Sequence, residues 1–137
     1  MKSYPKCCVA LAATVLLLTS SARADEAAYA AVIKERDQVL SEILSARESR
    51  RATGTADEES IAAAQLALYS FRRDAATATG EQIKQQELIV RLFEKKLEIT
   101  QAKTKAGLVG NIEVLEARAP LLEARQRLEE LRLKEKR

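Results

Sequence analysis

The stretch Ala106-Gly107-Leu108-Val109-Gly110-Asn111-Ile112-Glu113-Val114-Leu115-Glu116-Ala117-Arg118 decides the fold. It joins a lysine-bearing helix end to two glycines and then to a fresh amphipathic run. A helix C-terminus favours Lys or Arg in its last turn and Gly just beyond it, where the backbone turns left-handed. Beyond the turn, Val114, Ala117, Leu121, Ala124, Leu128 and Leu131 follow at spacings of three and four, the seam of a coiled coil. The stretch is therefore the tip of a helical hairpin.

Working back along the chain, the same pattern occurs once more. Ile61, Ala64, Leu68, Phe71, Ala75 and Ala78 form a seam whose members each stand 53 residues before a counterpart in the first seam. Gly54 precedes Gly107, and Leu44 precedes Leu97, by the same interval. A fixed interval shared by turn and seam predicts an internal repeat of a helix–turn–helix unit. Repeat 1 spans about residues 25–79 and repeat 2 about 80–137.

Ala, Leu, Glu, Arg, Lys and Gln, all strong helix formers, dominate from Asp25 onward. Placing turns at the four glycines, Gly54, Gly80, Gly107 and Gly110, predicts helices over about 25–52, 56–78, 81–106 and 111–136. Thr55 to Glu58 and Thr79 to Gln82 match the capping box. At Gly80 the second and third helices either break or run on through a kink. Pro120, inside the fourth helix, removes one helical hydrogen bond. The expected fold class is all-α: two antiparallel hairpins, as an up-down four-helix bundle or as elongated coiled-coil hairpins. Alanine at alternate seam positions lets helix axes approach closely but buries little apolar area, which favours self-association or docking on a partner.

The first 24 residues have a different character. Lys2 and Lys6 precede an apolar run from Cys7 to Leu18, and Ala22-Arg23-Ala24 closes it, the pattern of a secretory signal peptide. The apolar run is shorter than the about 20 residues that span a bilayer. Residues 1–24 are thus expected to be a leader and 25–137 the exported, periplasmic domain, with no membrane span after cleavage. The leader holds Lys2, Lys6 and Arg23 and no acid, so the formal charge of +3 belongs to it and the remainder is balanced. Balanced charge, no Trp and only two Phe argue against a nucleic-acid partner.

Both cysteines, Cys7 and Cys8, lie in the leader, and the chain has no His. The usual nucleophile–base triads and soft metal ligands are therefore missing, and no Gly-rich phosphate loop occurs. No catalytic residue, cofactor site or metal site is expected. The arginine pairs Arg50-Arg51 and Arg72-Arg73, each beside acids, are expected to lie on solvated faces.

The run from Ala106 to Arg118, continued by Leu121-Leu122-Glu123-Ala124-Arg125, resembles the periplasmic hairpin tip of TolC-like outer-membrane efflux factors. Gly54 to Leu68 is similar to a degenerate copy of it. In that family such tips pack side by side into a tube and dock on the hairpins of a periplasmic adaptor. The resemblance implies a docking surface at Gly107, Leu108, Val109, Gly110 and Asn111, with Val114, Leu115 and Ala117 packing beneath it. It implies a helical envelope protein, adaptor or outer-membrane factor, as partner, with self-association as the other possibility. Thr104 stands where the family usually has an aromatic, and no segment alternates as a barrel strand does, so the chain is not itself a duct. The seam residues expected to pack are Ile61, Ala64, Leu68, Val114, Ala117 and Leu121.

Two other functions fit the composition. One is a periplasmic chaperone-like or stress-sensing helical protein similar to the Spy type; Leu97 to Gln101 approximates its Leu-Thr-x-x-Gln motif with the spacing altered. The other is a secreted all-helical chorismate mutase, which binds a dicarboxylate between cationic side chains, with Arg36, Arg47 and Arg50 on the first helix as the similar feature.

Overall fold

The computed structural model describes the backbone of residues 9–55 and 57–137 and the side chains of 25–55 and 57–137. Four α-helices follow in order: α1 (Val9–Ala52), α2 (Glu58–Ala75), α3 (Thr79–Lys105) and α4 (Asn111–Glu135). No strand occurs among the described residues. The fold class is all-α, as the seams predict. The expected leader falls on residues whose side chains, and for 1–8 the backbone, lie outside that description. The first helix begins at Val9 rather than near residue 25, because neither Gly nor Pro interrupts the chain from there to Ala52.

The chain divides into two units, residues 1–36 and 37–137. In the first unit, the side chains described from Asp25 are exposed except that of Ile33, which is half-buried. The second unit contains the end of α1 and all of α2, α3 and α4.

Within the second unit α3 is central and packs against both α2 and α4. Arg125 pairs with Glu94 and Arg132 with Glu87, so seven residues forward on α4 are seven backward on α3. That makes the pair antiparallel. Ile89 and Val90 of α3 form the core with Leu121, Ala124 and Leu128 of α4, and Leu66 and Tyr69 of α2 pack against it with Phe93 and Leu97. Fully burying aliphatic side chains of this kind stabilises by about 1.5–3 kcal/mol each.

α2 has a second buried face, carrying Ile61, Ala64, Leu68 and Phe71. The same face bonds the end of α1. Arg72, one turn beyond Leu68, holds Asp37 through two hydrogen bonds of 2.6 and 2.9 Å and Ser41 through one of 3.1 Å. Near the tip, the Arg47 guanidinium donates to the Ser60 carbonyl. Leu40 and Leu44 of α1 are half-buried between these ties.

The two glycine-stopped turns are built alike. Gly54 and Gly107 have φ of +72° and +71°, the left-handed conformation in which a Cβ would be strained. In the first turn Gly54 N–H donates to the Arg51 carbonyl and Thr55 N–H to that of Arg50. In the second, Gly107 N–H donates to Thr104 and Leu108 N–H to Lys103. Both are Schellman motifs, which satisfy the orphan carbonyls of a helix end.

The turn between α2 and α3 differs from expectation. It occupies residues 76–78, and Gly80 lies inside the first turn of α3. Ala76 and Ala78 adopt extended backbone, and the Gln82 side chain donates to the Ala76 carbonyl at 2.7 Å. That bond replaces the expected capping box at Thr79, since the N-cap is Ala78 with no side-chain bond. At α2 the cap is Asp57, whose carboxylate accepts from Ser60 N–H at 2.5 Å, while the Thr55 hydroxyl donates back to the Arg50 carbonyl. α4 remains helical through Pro120.

Candidate docking tip and helix faces

The tip between α3 and α4 begins with Gly107 and ends where Gly110, in extended backbone, caps α4. Its shape follows from the Schellman bonds below it and from Thr104, whose hydroxyl reaches the Gly110 carbonyl across the turn at 3.4 Å. Gly107 and Leu108 are thereby tied to the end of α3 by backbone bonds. Leu108 stands 73% exposed at the crest and Ile112, in the first turn of α4, 70% exposed. Val109 is half-buried, and Gly110 and Asn111 are exposed. A bonded turn and an adjoining helix start that leave two large aliphatic side chains in solvent present them to an apolar partner at a small ordering cost.

Beneath the tip, Val114 is half-buried and Ala117 and Leu121 are buried. Leu115 points the other way and is 62% exposed, so it does not pack under the tip with Val114 and Ala117. Ile61, Ala64 and Leu68 are buried on α2, but on the face that bonds α1. The two seams are not brought together: each serves its own hairpin.

Several arginines that were expected on solvated faces are tied into the fold. Arg72 is half-buried, and its guanidinium beside Asp37 holds that carboxyl below the usual carboxylate range, chiefly through the hydrogen bond. Arg73 bridges Asp74 and the Gln86 amide oxygen, each at 2.8 Å. Gln86 is 1% exposed, and its amide nitrogen donates to the Ala124 carbonyl at 2.8 Å. One buried amide thus links α2, α3 and α4, and both of its polar atoms are satisfied. A groove of about 510 Å³ opens over it between α2 and α4, with Phe93 and Pro120 in its lining. Arg47 is likewise committed, to Ser60. Sequence spacing missed Gln86 because a glutamine at helical spacing carries no mark of burial.

α4 carries a second apolar line outside the seam. Leu115, Ala119 and Leu122 lie on the face turned away from α3, and Leu122 is 52% exposed. The signal was present as Leu115 and Leu122, seven residues apart.

Among the described residues no helix is long and apolar enough to cross a membrane. Among them, too, no group of three or more acids or other ligating side chains is placed to hold a metal ion. The chain matches no protein-family model, no curated protein and no solved structure.

Proposed function

We propose that this chain is an exported, non-enzymatic interaction module whose tip at Gly107–Asn111 docks on another helical protein of the cell envelope. The observation that carries the proposal is the exposure of Leu108, on a turn tied to α3 by the Schellman bonds, and of Ile112 beside it at the start of α4. Large aliphatic side chains left in solvent gain nothing from folding, and their burial against a partner would stabilise the complex. The leader-like residues 1–24 support export. The likeness of residues 106–125 to the hairpin tips of outer-membrane efflux factors makes a periplasmic adaptor or an outer-membrane factor the partner class. The 53-residue interval shared by the two hairpins supports an origin by internal duplication.

The test is quantitative co-purification from the native cell envelope, comparing the tagged protein with a Leu108→Asp/Ile112→Asp variant. Both side chains are exposed, so the variant should melt close to the original. The proposal expects an adaptor or outer-membrane factor with the original protein and at least a tenfold loss with the variant. Recovery of neither class, or equal recovery with both proteins, overturns it.

A further inference from the structure

α4 is lined on two opposite faces. Ala117, Leu121, Ala124, Leu128 and Leu131 are buried, and Leu121, Ala124 and Leu128 belong to the core shared with α3. On the far side Ile112, Leu115, Ala119 and Leu122 follow one another at spacings of three and four, all of them exposed. Gln126, Glu129 and Leu133 continue the line. With Leu108 before it, the line holds five of the ten large apolar side chains left exposed among the described residues. Apolar side chains gathered in this way mark a contact surface, which single scattered ones do not. The spacing is that of a coiled coil, with Ile112, Ala119 and Gln126 at the a positions and Leu115 and Leu122 at the d positions. Glu129, at the next d position, ends the apolar part.

The charges beside this line decide what covers it. The g positions, each just before an a position, hold Asn111, Arg118, Arg125 and Arg132. The e positions, each just after a d position, hold Glu116, Glu123 and Glu130. One flank is thus cationic and the other anionic. In a parallel pair of helices the g side chain of one meets the e side chain in the next heptad of the other. Two copies of α4 laid parallel and in register therefore set Arg118 against Glu123 and Arg125 against Glu130, twice each by symmetry. Laid antiparallel they set g against g and e against e, so that Arg meets Arg and Glu meets Glu. The surface complements itself in one orientation only. Arg118 and Glu123 form no ion pair among the described residues. Arg125 gives Glu94 a single N–H, and the rest of its guanidinium remains to reach a second carboxylate.

We infer that α4 pairs with α4 of a second copy of this chain, parallel and in register, as a short two-stranded coiled coil. Ile at an a position with Leu at d suits two parallel strands, and an amide at a, here Gln126, fixes the register by meeting its own counterpart. The same patch serves on both copies, so the contact is isologous and closes as a dimer. α3 already holds α4 helical, so pairing does not bear the cost of starting a helix. Pro120 lies outside the seam and outside both charged flanks, with its ring in the groove beside Phe93. The contact rests on Leu115, Ala119 and Leu122 and not on Leu108, so it stands or falls apart from docking at the tip.

The test uses the whole chain and reads association by sedimentation at low salt. Leu115→Glu/Leu122→Glu is expected to weaken the dimer at least tenfold with helicity unchanged. Arg118→Glu is expected to weaken it at least threefold, and Arg118→Glu/Glu123→Arg to restore it to within twofold. In a chain whose Cys7 and Cys8 are replaced by Ser, mild oxidation is expected to join Ala119→Cys to itself as the main product. Arg127→Cys, off the seam, is expected to give at least tenfold less. Equal crosslinking at the two positions overturns the proposal. So does a doubly reversed chain that associates with the original chain better than with itself, which assigns the antiparallel pair. A chain that stays monomeric up to the millimolar range overturns it as well. If Leu115→Glu/Leu122→Glu then loses an envelope protein that the original retains, the face belongs to that protein instead.

Discussion

Gly54 and Gly107 stand 53 residues apart, with φ of +72° and +71°, and each ends its helix with the same pair of backbone hydrogen bonds. The helices they end, and those that follow, keep the interval: α1 stops at Ala52 and α3 at Lys105, while α2 starts at Glu58 and α4 at Asn111. The arginines keep it too, since Arg72 reaches Ser41 as Arg125 reaches Glu94. The two glycine turns thus share their backbone bonds, and the helices on either side share their end points.

Glycine's role at these turns is purely conformational, because a Cβ at either position would meet nothing within 4 Å. Replacing Gly54 or Gly107 by Ala should therefore cost about 1–2 kcal/mol, the strain of a left-handed L-residue. Gly80→Ala should be neutral or stabilising, since Gly80 is helical and its added Cβ would stand 3.4 Å from the flexible Glu135 carboxylate. Urea unfolding of the three variants checks the contrast in sign. Equal losses at all three would refute it.

Gln86 is expected to be the costliest polar side chain to truncate. Gln86→Ala removes the amide that joins Arg73 to the Ala124 carbonyl and leaves a cavity in the α3–α4 core. The expected loss is about 2–4 kcal/mol, combining an unmet buried partner with lost packing. Gln82→Ala, at a half-buried position in the first turns of α3, should cost under about 1.5 kcal/mol. Denaturant midpoints at constant slope separate the two.

The Asp37–Arg72 pair predicts an acid-side dependence. The Arg72 hydrogen bond holds the folded Asp37 carboxyl below its ordinary value of 3.8. A depressed folded value means that the stabilisation is fully present above the ordinary value and is lost as pH falls through the folded one. Both side chains are over a third exposed, so solvent screening limits the pair to about 1 kcal/mol or less. Asp37→Asn should lower stability at pH 7, and the difference from the original chain should shrink steadily below pH 4. A difference that stays constant down to pH 2 would contradict this.

Pro120 lacks the N–H that would bond the Glu116 carbonyl within α4. Pro120→Ala restores that bond and should raise stability by about 1 kcal/mol or more, visible as a higher thermal midpoint. A lower midpoint would mean that the ring's packing in the groove beside Phe93 outweighs the missing bond.

Much of this architecture was legible in the sequence for physical reasons. A seam at spacings of three and four stands out against a charged background, and a glycine that must turn left-handed marks a helix end, so α4 and the two Schellman turns could be placed. The 76–78 turn could not. Its residues are Ala, Thr and Ala, helix-compatible side chains, and the chain turns there because Gln82 binds the Ala76 carbonyl and α2 must pack on α3. The Thr55 and Thr79 capping boxes failed for a related reason: Asp57 and Ala78 lie nearer the point where the backbone leaves extended geometry. Gln86 and Arg72 looked like surface residues because their partners lie 38 and 35 residues away.

Site-specific photo-crosslinking in the native cell envelope tests the central claim most directly, with the photoreactive side chain placed at Leu108 and, as control, at Gln101 on exposed α3 surface. The account predicts one dominant adduct from Leu108 to a helical envelope protein of the adaptor or outer-membrane-factor class, and none from Gln101. No adduct at Leu108, or the same adducts from both positions, would contradict docking at the tip.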